Sequence, residues 1–150
     1  MPFTLRDFQP EDFETLWRID QGCFPPGISY SRQELKYYTR RRGSFTLVAI
    51  NDDDKNAIAG FLVAHGGEPG HIITIDVITS ARRSGVGSLL LCAAEERLQA
   101  SGSLAVSLET AVDNISALSF YKRHGYNVVE TLPRYYSNGV DALAMTKEVI

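Results

Sequence analysis

The stretch Val77-Ile78-Thr79-Ser80-Ala81-Arg82-Arg83-Ser84-Gly85-Val86-Gly87-Ser88 leaves an apolar strand, turns through a basic glycine pair and opens a helix. A helix begins with backbone N–H groups that lack intrahelical partners and carry the positive end of the macrodipole. Gly85 and Gly87 strip the turn of side chains, so those groups can meet an anion, and a phosphate or diphosphate suits them. The same glycines also suit a plain tight turn. Two other phosphate loops are excluded, because neither the G-x-x-x-x-G-K-[S/T] spacing nor the three-glycine dinucleotide fingerprint is present.

The elements around this turn follow from periodicity. Ahead of it, His71-Ile72-Ile73-Thr74-Ile75 is β-branched and predicts a strand running on to Val77. Behind it, Val86, Leu89, Leu90 and Ala93 recur at helical spacing, in a helix ending near Gly102. Leu104, Val106 and Leu108 then alternate with Ala105, Ser107 and Glu109, which predicts a strand ending with Glu109 on its sparsely filled side. Asn114 caps a short helix through His124, with Gly125 as its left-handed stop. Asn114, Ala117, Leu118 and Tyr121 fall at i, i+3, i+4 and i+7, so Tyr121 shares a face with the cap residue.

Earlier in the chain, residues 3–8 alternate as an edge strand, and Pro10-Glu11-Asp12 opens a helix that Gly22 ends. Residues 24–30 hold two prolines and a glycine and predict an ordered loop. Ser31-Arg32-Gln33-Glu34 is a capping box for a second helix reaching about Arg42. Residues 45–50 and 57–65 predict a hairpin around a polar turn, and residues 126–132 and 140–147 close the chain as two strands.

The 150 residues, 44% hydrophobic and 22% charged, suit a single globular domain over residues 1–150. A net charge of −3 gives no global reason to expect nucleic acid as a partner. Cys23 and Cys92 are too few for a disulfide framework and read as small buried hydrophobes, while His65 and His124 have no ligand spacing, so no metal is expected. No run is long enough to cross a bilayer, and Asp7, Glu11 and Asp12 stand where a signal peptide is apolar, which predicts a cytoplasmic protein with no membrane partner. Nothing in the sequence indicates an oligomeric state.

Three separated features agree in order and spacing: Arg82 to Gly87 as R-x-x-G-x-G; Leu108-Glu109 followed by Asn114-x-x-Ala117-x-x-x-Tyr121-x-x-x-Gly125-Tyr126; and Tyr135-Tyr136-x-x-Gly139-x-Asp141-Ala142-x-x-Met145. Together they resemble the motifs of the GNAT acetyltransferases. With Phe24-Pro25 they are similar to the RimI-like branch, which acetylates protein N-termini, and the similarity covers essentially the whole chain.

The resemblance implies a mixed α/β GNAT fold, with a twisted mixed sheet of about seven strands, splayed central strands and about four helices. It implies acetyl-CoA as cosubstrate in the splay. Backbone groups of Ile75, Asp76 and Val77 would pair with the pantetheine amides, and Asn114 would hold the arm from the other side. The diphosphate would lie on the amides of Arg83, Ser84, Gly85, Val86, Gly87 and Ser88, with charge from Arg82 and Arg83. Glu109 matches the branch's general base and Tyr121 the tyrosine that protonates the departing sulfur, in a direct transfer. His71 is a rival base, because some members of the superfamily carry theirs on that strand; counted by twos it shares a face with Ile75 and Val77. Phe24 and Tyr30 on one loop, and Tyr135 and Tyr136 on another, would bind the acceptor, or else serve as hydrophobic anchors.

Three positions depart from the branch's pattern: Thr110-Ala111 replaces a usual Val-Arg, Val140 a usual acidic residue, and Asp76 a usual small apolar one. The function implied is acetyl transfer to a primary amine, foremost the α-amino group of a protein or peptide. A small-molecule amine acceptor and a non-catalytic CoA-binding sensor are the alternatives.

Overall fold

The computed structural model describes residues 2–150. Its strands are β1 (Phe3–Asp7), β2 (Ser44–Asn51), β3 (Ala57–His65), β4 (Gly70–Val77), β5 (Ala105–Ala111), β6 (Asn127–Leu132) and β7 (Ala142–Glu148). Its α-helices are α1 (Phe13–Cys23), α2 (Arg32–Arg40), α3 (Val86–Ala100) and α4 (Ile115–Arg123). The strands form one sheet in the order β1-β2-β3-β4-β5-β7-β6. Every neighbouring pair is antiparallel except β4 and β5. Among the described residues no helix is long and apolar enough to cross a membrane.

β2 and β3 read as nearly continuous apolar runs because both of their faces are covered. Leu47, Ala49, Leu62 and Ala64 pack with the α3 residues Leu90, Leu91 and Leu98 on one face. Val48, Ile50, Phe61 and Val63 pack with Leu16 of α1 and Leu35 of α2 on the other.

Four expectations from the sequence are corrected. Gly22 does not end the first helix, which begins as a 3-10 turn over Pro10–Asp12 and runs through Cys23. Phe24 ends it, since Pro25 holds its predecessor extended at φ −132°. In α3 the buried stripe is Val86, Leu90, Leu91, Ala94, Glu95 and Leu98, while Leu89 and Cys92 are exposed. The run 89–94 is apolar all round, so its pattern could not choose a face. The structure chooses by burying Glu95, which accepts from the Tyr126 hydroxyl (2.7 Å) and Lys147 Nζ (2.9 Å).

Leu104 lies outside β5 and is exposed, and the strand runs past Glu109 to Ala111 because Ala111 still pairs with Ala142 of β7. A bulge sits on β4, where Val63 pairs with Thr74 but Ala64 with Ile72. Ile73 is the extra residue, and it re-phases the strand. His71 therefore does not share a face with Ile75 and Val77. It lies on the face of Ile73 and Asp76, covered by α1 and α2.

Replacing fully buried Leu108 by Ala is expected to cost about 2–5 kcal/mol in denaturant unfolding. Exposed Leu104→Ala should stay within about 0.5 kcal/mol. Equal losses at the two positions would contradict this placement of the strand.

Candidate active site

β4 and β5 pair only at Gly70 with Val106 and His71 with Ser107, then diverge. A cleft of about 390 Å³ fills the gap. Its walls include Phe24 and Tyr30 from the first loop, Ile73 and Ile75 of β4, Glu109 of β5, and Asn114 and Tyr121 at α4.

The hydrogen-bond phase of the two strands decides which backbone groups face this gap. Ile78 N–H bonds Ala59 C=O (2.9 Å), so alternation along the antiparallel ladder commits the Asp76 backbone to Phe61 and directs that of Ile75 and Val77 away from β3. On the far wall, Val112 N–H to Asp141 C=O (3.0 Å) sets the phase that turns the Glu109 backbone toward the same gap. Of the three β4 residues expected to offer backbone groups, Ile75 and Val77 therefore face the splay and Asp76 does not. The Val77 carbonyl is engaged by Arg82 Nε (3.1 Å) and, more weakly, by Cys23 Sγ (3.5 Å).

His71 Nε2 lies 2.8 Å from Glu109 Oε1, so the bulge brings the two candidate bases together. A carboxylate only accepts, hence Nε2 carries the proton in this bond. The Tyr135 hydroxyl stands 3.4 Å from the same oxygen, too long for a strong bond. Tyr121 lines the cleft but belongs to the cluster on the α3 side, the opposite face of the sheet from Glu109. Burial pushes its phenol well above the ordinary tyrosine range, so it stays protonated.

Tyr30 has a structural task. Its hydroxyl donates to Ile73 C=O at the bulge (3.3 Å), and its backbone C=O accepts from Trp17 Nε1 (3.1 Å) and Gln21 Nε2 (2.7 Å). Phe24 and Tyr136 line the cleft, and burial raises the Tyr136 phenol as it does that of Tyr121. The two loops are joined: Ser137 N–H (3.3 Å) and Oγ (3.1 Å) donate to Gly27 C=O, and Asn138 Nδ2 to Pro26 C=O (3.3 Å).

At the glycine turn, the first bond of α3 runs from Leu89 N–H to Gly85 C=O (3.0 Å), so the amides of Val86, Gly87 and Ser88 open the helix unpaired within it. Gly85 adopts φ +90° and a side chain there would meet open space, as a ligand cradle needs. Arg83 and Ser84 precede it, Arg83 at φ +63°. Gly87 has a different reason to be glycine: a Cβ would lie 3.2 Å from the Phe120 ring of α4. Ser88 Oγ is 2.9 Å from His124 Nε2, whose Nδ1 is 2.8 Å from Phe120 C=O. The turn and α4 are therefore locked together, and Asn114 opens α4 by accepting from Ala117 N–H (3.2 Å). Neither this lock nor the bond between His71 and Glu109 is encoded in local spacing, since both join residues more than thirty positions apart.

The model of the acetyltransferase (GNAT) family matches residues 13–126. N-alpha-acetyltransferase 30 of Schizosaccharomyces pombe is 33% identical over 116 residues, covering 75% of this chain and 77% of that protein. N-alpha-acetyltransferase daf-31 of Caenorhabditis elegans is 29% identical over 97% of this chain and 82% of its own length. The crystal structure of Ard1 from Thermoplasma volcanium superposes with a TM-score of 0.90 at 28% identity, covering 100% of this chain and 99% of that one.

Gly85→Ala and Gly87→Ala should both lower stability, by about 1 kcal/mol or more, for separable reasons. Adding Phe120→Leu is expected to recover Gly87→Ala but not Gly85→Ala in chemical denaturation. Recovery of both, or of neither, would contradict the contact between Gly87 and Phe120.

Proposed function

From the premise that this chain belongs to the acetyltransferase (GNAT) family and is an acetyl-CoA-dependent N-acetyltransferase, we propose that it acetylates the α-amino group of a protein or peptide N-terminus. The observation that carries the reading is the 2.8 Å pair of His71 and Glu109 on one side of the splay, with protonated Tyr121 on the other.

Acetyl-CoA supplies the acetyl group as a thioester. The residues present fit it: the unpaired amides of Val86, Gly87 and Ser88 with the open space at Gly85 suit a diphosphate, and the Ile75 backbone suits the amides of the arm.

An α-amino group has a pKa of about 8 and arrives largely protonated at neutral pH. Glu109, held through Oε1 by His71, takes that proton directly or through a water, leaving the nitrogen lone pair free to attack. Tyr121 holds a proton for the departing sulfur. Its phenol is more basic than a thiol, so it stabilises the developing thiolate by hydrogen bonding ahead of any full transfer. The two loops that line the cleft are bonded to one another, which favours a slender chain end as acceptor. The curated relatives, named N-alpha-acetyltransferases, favour the same acceptor.

Thiol release from acetyl-CoA against peptides of varied N-terminus, free lysine and polyamines tests this. Rates are expected to depend on peptide sequence and to vanish when the N-terminus is blocked; turnover of the small amines alone would overturn the acceptor. Glu109→Gln and Tyr121→Phe should each lower kcat by about 10²–10⁴-fold, with coenzyme A affinity by calorimetry unchanged.

A further inference from the structure

Asp20 of α1 and Asp76 of β4 are 0% and 1% exposed, and their carboxyl groups meet. One oxygen of each is used elsewhere. Asp20 Oδ2 accepts from Tyr30 N–H (2.7 Å), and Asp76 Oδ1 accepts from Thr74 Oγ1. The remaining two, Asp20 Oδ1 and Asp76 Oδ2, are buried without a donor. Two ionised carboxylates in contact out of water would face both desolvation and mutual repulsion. A single proton between them satisfies both orphaned oxygens and removes one charge.

We propose that Asp20 and Asp76 form an acid–carboxylate pair bound by one shared proton, a positioning element that pins the end of the 24–30 loop to the strand bordering the cleft. Asp20 holds the Tyr30 amide while Asp76 anchors Asp20 to β4, so the proton joins the loop to the scaffold. The Tyr30 hydroxyl makes the second tie, at Ile73, two residues before the cleft-facing Ile75.

The charged and titratable groups facing the pair come from every element around it: Cys23 at the end of α1, Tyr30 on the loop, Glu34 of α2, Arg82 after β4 and Tyr121 of α4. Only Arg82 offers positive charge, and it is exposed, with its Nε on Val77 C=O. Burial, ahead of the contact with Asp20, holds the proton on Asp76 well above the ordinary aspartate range. The folded state thus binds a proton that the unfolded chain has released above about pH 4, so the stability it contributes is full below that pH and drains as pH rises through the folded pKa.

The loop's part in acceptor binding rests on the proposed function; the shared proton does not. Carboxyl carbons of 13C-aspartate-labelled wild-type protein, followed by NMR, are expected to show one buried carboxyl still protonated at neutral pH. Both groups titrating near pH 4 would overturn the pair. In Asp76→Asn an amide N–H replaces the shared proton, so its Tm should fall less steeply than that of the wild type between about pH 6 and about pH 10; parallel slopes would also overturn it.

In kinetics, the wild-type KM for the peptide acceptor should rise up to about tenfold per pH unit once the proton is lost, while KM for acetyl-CoA does not follow. Asp76→Asn should abolish that rise. An unchanged rise in the variant, or none in the wild type, would overturn the positioning role. If no peptide is acetylated at any pH, the functional reading fails, and the NMR and Tm measurements still decide the pair.

Discussion

Everything at this site depends on two parallel strands that start to pair and then stop. β4 is held by β3 along most of its length and β5 by β7 along all of its own, so each can leave the other without losing its place in the sheet. Their inner edges are left with backbone donors and acceptors that no strand satisfies, among them those of Ile75 and Glu109. An unmet backbone group out of water costs about 1–3 kcal/mol, so such an edge is a standing affinity for a guest that presents amides at peptide spacing. The pantetheine arm of acetyl-CoA is such a guest. In the proposed reading the glycine turn between β4 and α3 would receive its anionic end, so that one connection serves both halves of the cosubstrate.

The splay also opens a window through the sheet. Glu109 and His71 belong to the face under α1 and α2, and Tyr121 to the face under α3. In the proposed reaction a proton leaves the amine on one face and another is supplied to sulfur on the other. In that reading, environment assigns the tasks. Glu109 lies beside the His71 donor with part of its surface in water, whereas Tyr121 is buried among aromatic neighbours and keeps its proton. Neither residue has to switch roles within a turnover.

Most of the architecture was legible because it follows from local patterns: alternating or continuous apolar runs, the Ser31 capping box, the Asn114 cap, and the glycine before α3. The candidate site was legible wherever a residue's task is local, as at Gly85 and Asn114. It was not legible where the task depends on a partner. The bulge at Ile73 has no signature in a run of β-branched residues, and it reverses the face on which His71 lies. Gly87 reads as part of an anion loop, yet the ring it accommodates is Phe120, thirty-three positions on. Cys92 sits in an apolar stretch and is exposed, because buried Glu95 draws the other side of α3 inward. Asp76 stood out only as a departure from a family pattern, and its meaning appears when α1 brings Asp20 against it.

The side of the cleft proposed to meet the acceptor is a wall built on two loops bonded to one another. The 24–30 loop and the loop between β6 and β7 are about 110 positions apart, and they meet through bonds that end on the carbonyls of Pro26 and Gly27. Gly27, at φ +91°, has no room for a Cβ, which would meet the Asn138 Cβ at 2.6 Å and its backbone nitrogen at 2.8 Å. The donors are Ser137, through both N–H and Oγ, and the Asn138 side-chain amide, none of them a residue lining the cleft, and a frame ordered in advance would reduce the entropy lost when an acceptor binds. Phe24, Ile28 and Tyr136, which line the cleft but take no part in those ties, are then free to differ without loosening the frame. In the proposed reading, selectivity among acceptors would rest with those lining residues, whereas the competence to transfer an acetyl group would belong to the strands beneath them.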